Sequence, residues 1–169
     1  IDNPQPNDIN TSGKVAQIVR NGGATWSGSK IILSENLDFT TLNSISMMVY
    51  TSAPVGTTVK FKLEGAGETE RDALTTVSDA WEVLTWDFTA EPANFNTLVF
   101  MFDFGNTGDG SATSTFLFDE VEQYSAGTQI ELPVDFQDST VNYRMSDFGG
   151  NVSSLVPDPE DATNRVIKV

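Results

Sequence analysis

The chain has 169 residues, the length of one domain and part of a second, and its 11 Phe, 3 Trp and 3 Tyr supply a core. Its 24 acidic and 9 basic residues give a formal net charge of −15, which disfavours nucleic acid and anionic lipid as partners. Because Cys and His are absent, disulfides, thiolate metal sites and a Ser-His-Asp triad are excluded. No apolar run approaches the roughly 18 residues of a membrane span.

Apolar residues alternate with polar ones at period two, which predicts β-strands, and no helical stripe is present. The predicted strands, in chain order, are residues 15–19, 31–33, 44–50, 58–64, 82–88, 98–104, 115–121 and 134–136. Long polar loops are predicted at residues 64–71 and 105–115. Short strands separated by turn residues predict an all-β fold, an antiparallel β-sandwich with jelly-roll topology. An immunoglobulin-like sandwich is the alternative, weakened by the missing Cys pair.

The two ends of the chain share a short pattern. Asn3-Pro4 followed by GKVAQ at 13–17 resembles Asp158-Pro159 followed by NRVIK at 164–168. Lys14 and Arg165 are 151 positions apart, about one sandwich domain. We therefore predict a truncated repeat: a sandwich at 1–124 without its opening strand, a linker at 125–129, and the opening segment of a second copy at 130–169.

Unpaired strand edges bind available strands. We therefore expect residues 130–148 to complete the first sandwich, either within the chain or by segment exchange between chains. Residues 158–169 would duplicate positions that are already filled, so they are expected to be peripheral or to pair with another molecule.

Several motifs occur in a characteristic order. They are GATWSG at 23–28, KLE at 62–64, WEVLTWDF at 81–88, FDFG at 102–105, FDEV at 118–121 and LPVDFQD at 132–138. Together they resemble the jelly-roll carbohydrate-binding modules that are appended to bacterial polysaccharide hydrolases and occur in surface glycan-binding lipoproteins. The resemblance spans nearly the whole chain in permuted order. It implies a secreted or cell-surface bacterial domain, non-catalytic, that binds a polysaccharide and often holds a structural calcium ion.

Sugar recognition needs an aromatic ring against the apolar face of a pyranose, together with polar side chains for the hydroxyls. Trp26 lies in a turn flanked by Gly and Ser, which favours a stacking platform; the alternative is a ring that closes the end of the core. Trp86 shares a strand face with Leu84 and Phe88, which indicates a core position, and Trp81 is expected to pack under the preceding turn.

A polar row is the second candidate feature for sugar binding. Lys62 and Glu64 lie on one strand face, and Asp103 faces outward from a Phe-rich strand. A charge within an apolar run is costly unless it is exposed or paired, so these groups are candidates to hydrogen-bond sugar hydroxyls. Tyr50 is expected to flank the row. The alternative is a solvated Lys-Glu pair that contributes little.

The resemblance also implies metal ligands. Calcium takes six to eight oxygens, usually including carboxylates. Asp119, Gln137 and Asp138 match the positions where these modules bind the ion. Gln137 stands where the family usually has Glu, so its neutral amide oxygen would coordinate without adding charge.

The net charge favours a neutral polysaccharide over alginate or another polyanion, unless calcium bridges the two. Relatives beside laminarinases suggest a β-glucan such as laminarin. We predict no catalytic residues and no enzyme activity. The alternatives are a structural sandwich repeat of a surface adhesin or stalk, and a polysaccharide-degrading enzyme whose carboxylate pair the sequence does not single out.

Overall fold

The computed structural model describes residues 1–125, 134–137, 143 and 149–169. The chain divides into two compact units, Ile1–Tyr124 and Ser125–Val169, and each is described here by itself. In the described ranges, no helix has the length and apolar character that crossing a membrane requires.

The first unit is built almost entirely of β-strands. In chain order they are β1 (Ala16–Val19), β2 (Asn21–Gly22), β3 (Ser29–Leu37), β4 (Ser44–Thr51), β5 (Thr58–Gly65), β6 (Glu68–Leu74), β7 (Ala80–Asp87), β8 (Phe95–Phe102), β9 (Gly108–Asp109) and β10 (Thr115–Tyr124). A single 3₁₀ turn, Ala112–Ser114, precedes β10. Sheet A has the order β1-β10-β4-β7, sheet B has the order β3-β8-β5-β6, and β2 pairs with β9.

The strand order is that of a jelly roll. The antiparallel pairs β1·β10, β3·β8, β4·β7 and β5·β6 nest inside one another along the sequence, and successive pairs alternate between sheets A and B. Such an arrangement is a long antiparallel ribbon rolled into two packed sheets. The predicted all-β sandwich is confirmed.

Aromatic rings from the inner faces of both sheets fill the core. Phe61 of β5 lies 5.1 Å from the ring of Trp86 on β7 and 5.2 Å from the ring of Phe100 on β8. The indole N–H of Trp86 donates to the Val59 carbonyl at 3.2 Å, so the buried polar group is satisfied. The core position predicted for Trp86 is confirmed.

Residues 64–71 are not the long loop that the sequence predicted. Strand β5 continues to Gly65 and β6 begins at Glu68, which makes a tight hairpin. The sequence did not predict this strand because its composition is polar. β6 is an edge strand whose outward side chains are acidic, and charged side chains are common at sheet edges. Residues 105–115, also predicted as a loop, contain the short strand β9 and the 3₁₀ turn.

Strand β10 has more length than its neighbour β1 covers. β1 pairs only with residues 115–118, and a bulge with Glu120 at φ 45° follows. Within residues 1–125, no strand pairs with β10 beyond the bulge on that side. A hollow of about 210 Å³ opens nearby, and its apolar lining is Leu33, Leu37, Ile45, Leu98 and Val121. Most of residues 130–148 lies outside the described residues, so their predicted role in completing this sandwich stays a prediction.

In the second unit, β11 (Ser154–Pro157) and β12 (Arg165–Lys168) form an antiparallel hairpin. The strand predicted at 134–136 is wrong, because Val134 and Asp135 have no strand pairing and Phe136 has a φ of 59°. The Gln137 side chain instead donates to the Asn164 side chain at 2.9 Å and to the Arg165 carbonyl at 3.0 Å.

The hairpins at the two ends of the chain close in the same way. At the head, Asp2 bridges Lys14, the Asn3 N–H donates to the Gly13 carbonyl at 3.1 Å, and the Asn3 side chain accepts from a backbone N–H two residues on. At the tail, Pro157 pairs with Arg165, and Asp158 makes the equivalent two bonds, its N–H donating to the Asn164 carbonyl at 2.9 Å. This likeness supports the predicted repeat, which stays a prediction.

Candidate functional site

The outer face of sheet B carries most of the residues that the sequence predicted for sugar binding. Alternation along β5 turns Phe61 and Leu63 into the core, and it turns Lys62 and Glu64 outward. The register places Lys62 beside Val99 of β8, and Val99 beside Lys30 of β3. The ammonium groups of Lys30 and Lys62 therefore lie on either side of the apolar Val99 side chain. Lys30, Lys62 and the neighbouring Glu64 form the polar row.

A hollow of about 310 Å³ lies over this row. Its lining residues come from β3, β5, β8 and the turn before β3: Trp26, Gly28, Ser29, Lys30, Lys62, Glu64, Val99 and Met101. Val99 and Met101 form an apolar floor, and Trp26 stands at one end with 69% of its surface exposed. The structure thus brings together Trp26, Lys62 and Glu64 from the predicted set.

Glu64 is held between two lysines. The Nζ of Lys30 lies 3.4 Å from Glu64 Oε2, and the Nζ of Lys62 lies 3.3 Å from Oε1. Lys62 also contacts Glu68 on β6 at 2.6 Å. The hydrogen bond from Lys62 lowers the pKa of Glu64 below its usual 4.5, and the hydrogen bond to Glu68 raises the pKa of Lys62 above 10.5. Both groups are therefore charged throughout the neutral range.

The turn that carries Trp26 is anchored on both sides. The Ser27 N–H donates to the Ala24 carbonyl at 3.0 Å, and the Thr25 carbonyl accepts from the Gly105 N–H at 3.0 Å. A Cβ at Gly28 would lie 2.6 Å from the Phe100 carbonyl oxygen, so only glycine allows the chain to pass this close to β8. The exposed indole therefore projects from a fixed turn.

Lys30 lines the hollow although the sequence did not single it out as a site residue. Alternation identified the faces of β8 and β5, but it does not give the register between strands, which is what places Lys30 beside Val99. Lys60 was missed for the same reason. It is buried at the margin of the row, where it binds Glu70 at 2.8 Å and Asp72 at 2.9 Å.

Asp103 does not belong to the row. β8 ends at Phe102, and Asp103 enters the following turn with a φ of 49°. Its carboxylate accepts from the Asn106 side chain at 2.8 Å. The prediction that it faces outward from the strand is wrong because the left-handed backbone ends the alternation one residue earlier.

Tyr50 lies on the other sheet. β4 belongs to sheet A, where Tyr50 projects from the outer face and lines a separate hollow of about 300 Å³ with Gln17 and Leu117. Its ring lies 5.7 Å from that of Trp81. Tyr50 therefore does not flank the row of Lys62 and Glu64 as predicted, because β4 and β5, although consecutive, belong to opposite sheets.

The three predicted calcium ligands are distributed over both units. Asp119 Oδ2 accepts from the Nδ2 of Asn10 at 3.2 Å, and Asn10 is fully buried. Gln137 belongs to the second unit, and Asp138 lies outside the described residues. Within the described residues, no three acidic side chains converge. Asp119 alone supplies fewer oxygens than calcium requires, so the predicted site depends on groups from elsewhere.

No protein-family model matches this sequence, and no curated protein matches it significantly.

Proposed function

We propose that residues 1–124 form a non-catalytic carbohydrate-binding module. It holds a neutral polysaccharide, a β-glucan such as laminarin, across the outer face of sheet B, in a protein that is secreted or displayed on a bacterial cell surface. The observation that carries the proposal is the exposed ring of Trp26, fixed on an anchored turn beside the row of Lys30, Glu64 and Lys62.

The chemistry of the hollow suits a sugar. A pyranose presents apolar C–H groups on its faces and hydroxyls around its rim. Trp26 offers a large flat ring for the face, and Val99 extends this apolar surface. Lys30 and Lys62 donate hydrogen bonds and Glu64 accepts them. Because the ion pairs already fix these side chains, less rotamer entropy is lost when the ligand binds.

The balance of charge favours a neutral ligand. The whole chain carries −15, which repels polyanionic glycans at long range. Lys30 and Lys62 offset part of that field locally, but both are paired with Glu64, and Lys62 also with Glu68. An anionic sugar would have to displace these carboxylates, whereas neutral hydroxyls can share the row with them.

The state of Glu64 supports binding rather than catalysis. A glycosidase needs a carboxylic acid whose pKa is raised so that it can protonate the leaving oxygen. Glu64 lines the hollow, and Lys62 and Lys30 lower its pKa. An ionised, doubly paired carboxylate accepts hydrogen bonds well and is a poor general acid.

A structural calcium ion remains part of the proposal. Asp119 would supply a carboxylate, and Gln137 and Asp138 are the further ligands that the resemblance implies. We expect calcium chloride to raise the melting temperature of the full chain and EDTA to reverse the increase, with Asp119→Asn abolishing the response. An identical melting temperature with and without the ion would contradict this part and leave sugar binding unaffected.

A structural sandwich repeat of an adhesin or stalk is the second candidate function. The matching closure of the head hairpin at Asn3 and the tail hairpin at Asp158 favours it, since arrays are built from such repeats. A stalk would bind no polysaccharide, so the two candidates are separable by one experiment.

The test is isothermal titration and affinity electrophoresis of the full chain against laminarin, a second neutral glucan and alginate. We expect a Kd for a neutral glucan in the micromolar to millimolar range, about −4 to −8 kcal/mol. Tyr50→Ala is the matched control, because it removes an aromatic side chain from the opposite sheet. Tight binding to alginate alone would contradict the proposal, release of sugars would indicate an enzyme, and no binding at all would favour the stalk.

A further inference from the structure

Arg20 is a buried cation held by carbonyl oxygens. It follows β1, has 4% of its surface exposed, and forms no ion pair with a carboxylate among the described residues. One terminal nitrogen donates to the Phe102 carbonyl and, at 3.2 Å, to that of Asp103. The other donates to the Ala24 carbonyl at 3.2 Å and to the Asn106 carbonyl at 2.8 Å.

The backbone of Arg20 is fixed as well. Its N–H donates to the Ser114 carbonyl and its carbonyl accepts from the Gly110 N–H, both at 2.8 Å. Gly108 passes so close that a Cβ there would lie 2.3 Å from the Cβ of Arg20. The guanidinium therefore extends from a rigid base, and it cannot relocate without moving the loop at 108–114.

The four carbonyl groups belong to two segments that meet beside Trp26. Ala24 opens the turn that carries Trp26, and Phe102, Asp103 and Asn106 belong to the end of β8 and its following turn. A direct bond from the Gly105 N–H to the Thr25 carbonyl joins the same two segments. Arg20 thus clamps the Trp26 turn to the strand that forms the floor of the hollow.

Only arginine can make this clamp. A planar guanidinium directs several N–H groups in fixed directions, whereas the ammonium of lysine is a single, strongly hydrated point charge. The two terminal nitrogens of Arg20 donate to four carbonyl oxygens. If lysine replaced Arg20, its single ammonium nitrogen would leave at least half of these oxygens without a donor. A buried cation with only neutral acceptors is costly, which argues that its position serves more than local stability.

We propose that Arg20 is a positioning residue for glycan binding: it fixes the turn so that the exposed ring of Trp26 is preorganised over the hollow on sheet B. The inference rests on the proposed function, and its structural half can be tested without any ligand. A preorganised ring lowers the entropy lost on binding, so loosening the turn weakens affinity even though Arg20 touches no sugar.

The ligand-free test is ¹⁹F NMR of the full chain labelled with 5-fluorotryptophan, with the Trp26 resonance assigned by its loss in Trp26→Phe. We expect Arg20→Lys to shift or broaden the Trp26 resonance and to leave that of Trp86 unchanged. Arg71→Lys is the matched control. It alters an arginine of β6 that bonds Glu91 and the Asp87 carbonyl, away from the Trp26 turn, and it should leave the Trp26 resonance unchanged.

The ligand test is a double-mutant cycle in laminarin titrations. We expect Arg20→Lys to weaken binding about fivefold or more, through the lost preorganisation. In a Trp26→Ala background the same change should have almost no further effect, because the ring it positions is gone. An effect of Arg20→Lys that is equal in both backgrounds would show a general structural role and overturn the proposal.

Failure of the proposed function is a separate result. If the unaltered chain binds no neutral glucan, the function fails, while the NMR comparison still shows whether Arg20 fixes Trp26. If Arg20→Lys and Arg20→Gln both fail to fold, the Trp26 resonance and the Gly105 amide exchange of the unaltered chain are measured instead. A Trp26 resonance as narrow as that of a free indole on a mobile loop would overturn the proposal, and slow exchange of the Gly105 amide would support it.

Discussion

A tryptophan lies at the outer face of each sheet, but the one at sheet A is buried and the one at sheet B is exposed. On sheet A, Trp81 is 2% exposed, because the segment around Gln5 lies over it and the Gln5 carbonyl accepts from its indole N–H at 2.7 Å. In the turn beside sheet B, Trp26 has 69% of its surface exposed. The comparison teaches that the same residue type is part of the packed fold beside one sheet and is exposed beside the other, where we propose that it binds a glycan.

The difference in exposure arises from the segment that precedes the first strand of each sheet, β1 in sheet A and β3 in sheet B. The head of the chain, residues 1–15, folds back on itself before β1, and Val15 packs against Trp81 and Leu117. The turn before β3 instead leaves Trp26 exposed at one end of the hollow that Lys30 and Lys62 also line. One aromatic side chain therefore contributes buried area to the fold, and the other remains exposed.

The largest expected effect is on sheet A. Trp81→Ala removes a buried indole and leaves the Gln5 carbonyl without its donor, so we expect a loss of about 3–5 kcal/mol in the free energy of unfolding. Chemical denaturation measures this loss. Where the variant remains folded, its Kd for laminarin should equal that of the unaltered chain, and a weakened Kd would mean that sheet A also binds glycan.

The opposite result is expected for Trp26→Ala. Removing an exposed ring should change the free energy of unfolding by less than about 0.5 kcal/mol. Affinity for a neutral glucan should fall by about 1–3 kcal/mol, because aromatic anchors dominate such interfaces. A large fall in melting temperature with affinity retained would show that Trp26 belongs to the core and that the comparison between the faces is mistaken.

The polar row should contribute less than the ring. Glu64→Gln keeps the shape of the side chain and removes its charge, so we expect a loss of about 1 kcal/mol in affinity, as for a typical hydrogen bond. Asp2→Asn is the matched control, because it makes the same carboxylate-to-amide change in an exposed ion pair with Lys14 in the head hairpin, away from the row. Titration of both variants measures the difference, and equal losses would exclude a specific role for Glu64.

Alternation along single strands allowed the sequence to predict the sandwich and the core face of β4, β5 and β8. The same alternation placed Lys62 and Glu64 correctly on the outside. Alternation failed for β6, because charged side chains rather than apolar ones recur at every second position of that strand. It also failed for Asp103, where a positive φ ends the strand. Register and sheet membership are long-range properties, and for that reason Lys30 was missed and Tyr50 was assigned to the wrong sheet.

The smallest expected effect is that of pH, and its sign follows from the ion pairs. The pKa of Glu64 is lowered by Lys62, so the carboxylate stays ionised until the pH falls below 4.5. The pKa of Lys62 is raised by Glu68, so the ammonium stays protonated until the pH exceeds 10.5. Because neither group titrates between about pH 5 and about pH 9, and a neutral glucan has no titrating group, affinity should be constant over that range.

Titrations should detect weaker binding only as the pH falls through the lowered pKa of Glu64, where protonation removes the charge of this acceptor. Constant affinity over a pH range in which NMR shows Glu64 becoming protonated would show that Glu64 accepts no bond from the sugar, and would leave Trp26 as the main contact beside sheet B.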